Sequence, residues 1–109
     1  MGRGAREAQR LNVALEVVFR PQAEDEALAV RLWYESRRSG LGQEFGQELD
    51  ATIERIAAGP FVFPRAHGET RRAVFSRFPY AVYFRVAEAT VVVLAIHGRQ
   101  HPSRWQQRS

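Results

Sequence analysis

The chain has 109 residues, 45% hydrophobic and 26% charged, with sixteen basic side chains against twelve acidic, a net charge of +4 and no cysteine. One domain with a single core fits that length, and the apolar content excludes a disordered polymer. The absence of cysteine excludes disulfides, thiolate metal sites and thiol nucleophiles.

Residues 1–10, MGRGAREAQR, read as a basic tail carrying Arg3, Arg6 and Arg10. The tail lacks the apolar core of a secretory signal. No run of about 18 apolar residues follows, so a cytoplasmic protein without membrane contact is expected. Every basic residue is arginine. Genome-wide codon usage and selection for phosphate contact both account for this, since a guanidinium keeps its charge and offers a planar fork.

Residues 11–20 alternate, with Leu11, Val13, Leu15, Val17 and Phe19 on one face, as in a half-buried strand. Pro21 opens a helix, acidic residues Glu24, Asp25 and Glu26 suit its first turn, and Gly40 supplies a left-handed stop. Ala23, Ala27, Val30 and Tyr34 form its apolar stripe. Trp33 and Tyr34 read as core and helix-edge packing. Gly40-Leu41-Gly42 is a short turn into a second helix with the stripe Phe45, Leu49, Ile53 and Ile56, ended by Gly59-Pro60. Residues 61–70 read as a loop. Three strands follow at Arg71–Phe75, Tyr80–Val86 and Val91–Ile96. Val82, Phe84 and Val86 form the core side of the middle strand. Ala81, Tyr83 and Arg85 form an open side, with Arg72 and Val74 beside them. The expected fold is α+β: a two-layer β-α-α-β-β-β arrangement with a helical hairpin on one face of an antiparallel sheet.

Most catalytic signatures are missing. There is no phosphate-binding glycine loop, no His-Glu-x-x-His helix and no acidic cluster for magnesium. His67, His97 and His101 are too scattered for a metal site, and no cofactor is expected. What remains is a basic group near the strand ends: Arg71, Arg72, Arg77, Arg99 and Arg104, with His97, His101 and Trp105. Arginines can stabilise charge developing on a phosphodiester, a histidine can move a proton, and Trp105 or Tyr83 can stack on a base. A solvated basic rim is the simpler reading. Strand parity pairs His97 with Val91 and Val93, towards the core, unless a bulge intervenes. Arg85 reads as a solvated side chain or a grip on a partner's carboxylate. Glu69 reads as a surface charge partner of Arg71 and Arg72, worth little.

The order of several segments resembles the RelE/ParE superfamily of toxins from type II toxin–antitoxin systems. These are Phe19 to Glu26, Trp33-Tyr34, Gly40-Leu41-Gly42 with Phe45, and Ile56 to Pro60. Further along come Arg71 to Val74, Arg77 to Phe84, and His97-Gly98-Arg99 followed by Pro102 and Trp105. The likeness runs from about residue 13 to residue 108, so residues 11–109 are expected to form one toxin domain.

The resemblance implies a growth-inhibiting toxin, of the kind that serves plasmid stabilisation, neutralised by a small, acidic antitoxin whose extended segment wraps it. Operator DNA would be reached only through that antitoxin. Ribonuclease members cut messenger RNA on the ribosome with basic side chains on the open sheet face and a C-terminal aromatic or imidazole. Carried over, the candidate catalytic residues are Arg72, His97 and Arg99. Two family positions have lost their chemistry. Ala81 stands where such members place an arginine, and Trp105 has no proton acid or base at neutral pH. Removing one transition-state contact costs about 10²–10³ in rate. The resemblance therefore leans to the ParE-like branch, which poisons DNA gyrase by binding and needs no catalytic residue. Candidate target-binding residues are Arg71, Arg77, Tyr83, Arg85 and Trp105. A ribosome-dependent endoribonuclease and a decayed toxin that only binds its antitoxin are the alternatives.

Overall fold

The computed structural model describes residues 14–98. The basic tail, the first three residues of the expected strand, Arg99, His101, Arg104 and Trp105 lie outside them. Strand β1 (Glu16–Phe19) leads into helices α1 (Pro21–Arg37) and α2 (Leu41–Ala58) and a 3₁₀ turn (Pro60–Val62). Strands β2 (Arg65–His67), β3 (Thr70–Val74), β4 (Tyr80–Ala87) and β5 (Thr90–Gly98) follow. All five strands form one sheet in the order β1-β5-β4-β3-β2.

The helices form where the punctuation places them. Pro21 occupies the first turn of α1, and Ala23, Ala27, Val30 and Tyr34 turn inward. Gly40 adopts a left-handed φ of 89°, as its sequence context suggests, but it stands at the N-terminus of α2, two residues beyond the extended Arg38 that ends α1. Two amide groups at that helix start, of Gly40 and Gly42, donate to the Glu35 carboxylate at 2.9 and 3.0 Å. An acid there satisfies amides that have no intrahelical partner and complements the helix dipole. Gly42 also lets the helices approach: a Cβ on it would lie 2.5 Å from the Arg31 carbonyl.

The hairpin covers one face of the sheet. Phe45 and Ile56 meet Ala73, Val82, Phe84, Val91, Val93 and Ile96 there, with Phe75 and Phe78 closing one end. Phe45 sits at the centre of an aromatic cluster, with the rings of Tyr34, Phe75, Phe78 and Tyr80 all within 6 Å of its own. Burial, and then the neighbouring Tyr80, push the Tyr34 phenol up from its ordinary value.

Three features differ from the sequence reading. First, the sheet is mixed: β1 pairs parallel with β5, Val17 opposite Val91 and Phe19 opposite Val93, while the other pairs are antiparallel. Alternation in β1 sets which side is buried but says nothing about the direction of a partner seventy residues away. Second, residues 61–70 are not a loop. They hold the 3₁₀ turn and β2, which turns into β3 at Gly68 with φ 55°. All three β2 side chains are exposed, so this short charged edge strand has no hydrophobic pattern to betray it. Third, the sheet face away from the helices is not open. Ala81, Tyr83 and Ala95 are buried there as a second cluster.

Candidate functional site

That second face gathers most of the residues singled out in the sequence. Pairing registers place Arg72, Tyr83 and Ala95 in one row across β3, β4 and β5, and Val74, Ala81 and His97 in the next. A bulge at Leu94 makes this row: Tyr83 pairs with Ala95 but Phe84 with Val93. The extra residue turns His97 away from the core side that simple alternation assigns to it. With strands about 4.8 Å apart and a rise of about 3.4 Å per residue, the Arg72 and His97 backbones stand roughly 12 Å apart. Tyr83, 1% exposed, and Ala81, fully buried, lie between them.

His97 is itself engaged. Its Nε2 is 3.2 Å from Glu26 Oε2, and Glu26 Oε1 accepts the Ile96 amide at 2.9 Å. β1 accompanies β5 only as far as Val93. Beyond that point a carboxylate from the second turn of α1 takes over the strand edge. The sequence suggests only a helix-dipole role for Glu26, and no local spacing links it to residues 70 positions later.

The arginines divide between the two sides. Arg72 is half-buried on the second face, its Nε without a hydrogen-bond partner among the described residues. Arg85 shares that face and is half-buried rather than fully solvated. Arg71 points to the helix side. There it donates to the Phe63 carbonyl at 2.7 Å and lies over the Phe61 ring, so it pins the 3₁₀ turn. Arg77 follows β3, where it donates to Glu44 at 2.7 Å, while Arg38 pairs with the same carboxylate at 3.6 Å. Glu48 receives the Ser76 and Arg77 amides. Glu69 pairs with Arg65 at 3.8 Å in full solvent, not with Arg71 or Arg72. Trp33 is half exposed, with the Arg37 guanidinium 4.4 Å from its ring, whereas Tyr34 is packed into the aromatic cluster. Among the described residues no three acidic or imidazole side chains are grouped to hold a metal, and no helix is long and apolar enough to cross a membrane.

The hydrogen bond from Arg77 holds the Glu44 carboxyl below its ordinary value; burial opposes it, and the nearby charges of Arg38 and Arg77 add to the lowering. A carboxyl depressed by folding stabilises the fold above its unfolded pKa, and that contribution fades as acid titrates it through the folded value. An NMR titration of Glu44 should therefore show a midpoint below that of free glutamate, and Arg77→Ala should move it upward. An unmoved midpoint would mean that the Arg77 contact contributes nothing in solution.

Charge is sorted between the layers. Helix α1 carries Glu24, Asp25, Glu26 and Glu35 against Arg31 and Arg37; α2 carries Glu44, Glu48, Asp50 and Glu54 against Arg55. The helical layer is thus acidic within a basic chain, and the arginine excess lies in the strands, connections and termini.

Comparison with known proteins follows the same lines. No curated protein sequence matches. Among solved structures, the chain is similar to a protein of the chromosomal ParDE toxin–antitoxin system from P. aeruginosa. The TM-score is 0.70 at 15% identity, over 78% of this chain and 96% of that one. It is also similar to a chain of the RelBE2 toxin–antitoxin complex from Mycobacterium tuberculosis. There the TM-score is 0.58 at 16% identity, over 80% and 93% of the two chains. These likenesses establish a shared α+β fold. Residues 17–102 match the model of the ParE toxin of the type II toxin–antitoxin system parDE. With most of its length matched, from β1 past the end of β5, the chain belongs to the ParE toxin family of type II toxin–antitoxin systems.

Proposed function

We propose that this toxin arrests growth by binding a protein target in the cytoplasm, DNA gyrase being the leading candidate, and that a small cognate antitoxin neutralises it. Operator DNA is reached only through the antitoxin, and the action needs neither a cofactor nor a catalytic residue. One observation carries this reading: Tyr83 and Ala81, both buried, separate Arg72 from His97 on the sheet face where an RNA-cutting constellation would have to assemble. General acid–base chemistry needs groups within about 3 Å of the proton they move. His97 instead has Glu26 beside it.

The test is gyrase supercoiling with purified protein. The toxin should inhibit it, and an equimolar amount of cognate antitoxin should restore it. Full supercoiling in excess toxin, with ribosome-dependent cleavage of messenger RNA in a parallel assay, would favour the endoribonuclease alternative. A second check uses the residues that alternative requires. The Arg72→Ala, Arg99→Ala double variant should keep growth arrest within roughly threefold, the scale of ordinary surface substitutions. A loss on the order of 10² or more would instead match the removal of transition-state contacts.

A further inference from the structure

The sheet face away from the helices changes character along its length. On β4 the residues Ala81 and Tyr83 are buried there, whereas Arg85 and Ala87, the next two on that side, are half-buried. Pairing registers place Val18, Val92 and Arg85 in one row across β1, β5 and β4, just past the buried part. Val18 is 41% exposed and Val92 half-buried, although Val17 and Phe19, its neighbours on β1, pack on the helix side. Among the described residues no ion pair or hydrogen bond engages the Arg85 guanidinium, whereas Arg38, Arg65 and Arg77 each face a glutamate. A half-buried charge without a counter-charge is costly to hold. A carboxylate arriving from outside would give it the stronger, charge-assisted kind of hydrogen bond.

The acid that shares this side does not fill that role. Glu16 is exposed on β1, two residues before Val18. At ordinary strand spacing and rise its backbone stands roughly 12 Å from that of Arg85, beyond a Debye length in physiological salt. The row therefore has a cation at one end, valines along it and an acid at the opposite corner. We propose that this row is a docking strip for the toxin's protein target, and that it takes a helix presenting a carboxylate to Arg85 and apolar side chains to Val92 and Val18. This rests on the reading that the toxin acts by binding a protein. A helix rises 1.5 Å per residue, so a carboxylate at i and apolar side chains at i+4 and i+7 span about 6 and 10 Å, close to one and two strand spacings. A basic residue at i+8 then meets Glu16. Charge at both ends fixes the direction of the helix, because the reversed one sets acid against acid and base against base.

Growth arrest is the first readout, since it does not presuppose gyrase. Arg85→Glu and Val18→Glu should each weaken arrest at least about tenfold in surviving colonies. Val62→Glu, at an exposed apolar position outside the row, should change it by less than about threefold. Arg85→Lys keeps the charge, loses the planar fork and should fall between. Thermal unfolding will verify that each variant folds, and Val18→Glu, at the more exposed position, carries the test if Arg85→Glu does not. The second probe is a synthetic helical peptide with glutamate, leucine, leucine and lysine at i, i+4, i+7 and i+8, titrated into the isotope-labelled full-length toxin. It should shift the methyl signals of Val18 and Val92, and an isomer with glutamate and lysine exchanged should bind at least about tenfold more weakly. Equal binding of the two peptides would overturn the proposal, as would row variants that arrest growth like the wild type. Variants that still arrest growth but escape the cognate antitoxin, or a toxin dimer that Val18→Glu dissociates, would overturn it by naming another occupant. A wild-type chain that arrests nothing, or that arrests while cleaving messenger RNA, would remove the functional reading, and the peptide comparison would still decide the strip.

Discussion

Replacing Phe45 by alanine should lower the unfolding free energy by about 3–5 kcal/mol, the range found for deleting a large buried aromatic. Phe45 is 1% exposed, and its ring meets four others contributed by α1, β4 and the β3–β4 connection. Truncation leaves a cavity that these rings cannot fill together, because they are anchored on three different elements. A domain's total stability is about 5–15 kcal/mol, so this single change removes a large share of it. With about 4–8 °C lost per kcal/mol in domains near this size, the midpoint should fall by well over 10 °C. A fall of less than about 1 kcal/mol in chemical denaturation would mean that the aromatic cluster is not the organising centre of the core.

Glu26→Ala should be the second most costly change, at about 2–3 kcal/mol. Its carboxylate serves the Ile96 amide and the His97 imidazole at once. Removing it leaves an amide at a strand edge and a nearly buried ring without that acceptor, and hydrogen bonds to charged groups contribute about 1.5–3 kcal/mol each. Glu26→Gln keeps an acceptor for the Ile96 amide and should cost roughly half as much. Amide hydrogen exchange separates the two roles. Exchange at Ile96 should accelerate in the alanine variant and stay slow in the glutamine variant. Equal exchange in both would show that Glu26 does not hold the end of β5.

These expectations also mark what could be read in the sequence. Both helices were legible because their signals are local: Pro21 and Gly59-Pro60 set boundaries, and stripes at three- and four-residue spacing set the buried sides. That Arg72 and Val74 share a face with Ala81 was legible from a four-residue turn at Ser76 to Pro79, and Val74 does pair with Ala81. The parallel β1–β5 pair was not, since strand direction depends on where the intervening chain returns. The bulge at Leu94 lies inside the uninterrupted apolar run from Val91 to Ile96, where every residue suits either face. Alternation there carries no register information, so the side of His97 turns on whether a bulge intervenes, and one does.

At the candidate site, residue types were informative and their surroundings were not. Arg72 and Arg85 do share a face with Tyr83. That the face is packed rather than open was hidden, because Ala81 and Tyr83 are equally at home against solvent. Arg71 stands next to Arg72 in sequence but one pleat away in space, and it spends its guanidinium on the Phe63 carbonyl. Glu26 was missed because its partners lie 70 residues further on. The acidic character of the helical layer needed no structure beyond the helix boundaries, yet it disappears in a net charge of +4.

A toxin that acts by binding, as proposed, leaves messenger RNA uncut. Primer extension on messenger RNA from cells arrested by the toxin, with antitoxin withheld, tests it most directly. Full-length transcripts with no new 5′ ends, in cells that have stopped dividing, are the predicted result. Codon-specific cleavage appearing within minutes of induction, and lost in the Arg72→Ala, Arg99→Ala variant, would contradict it.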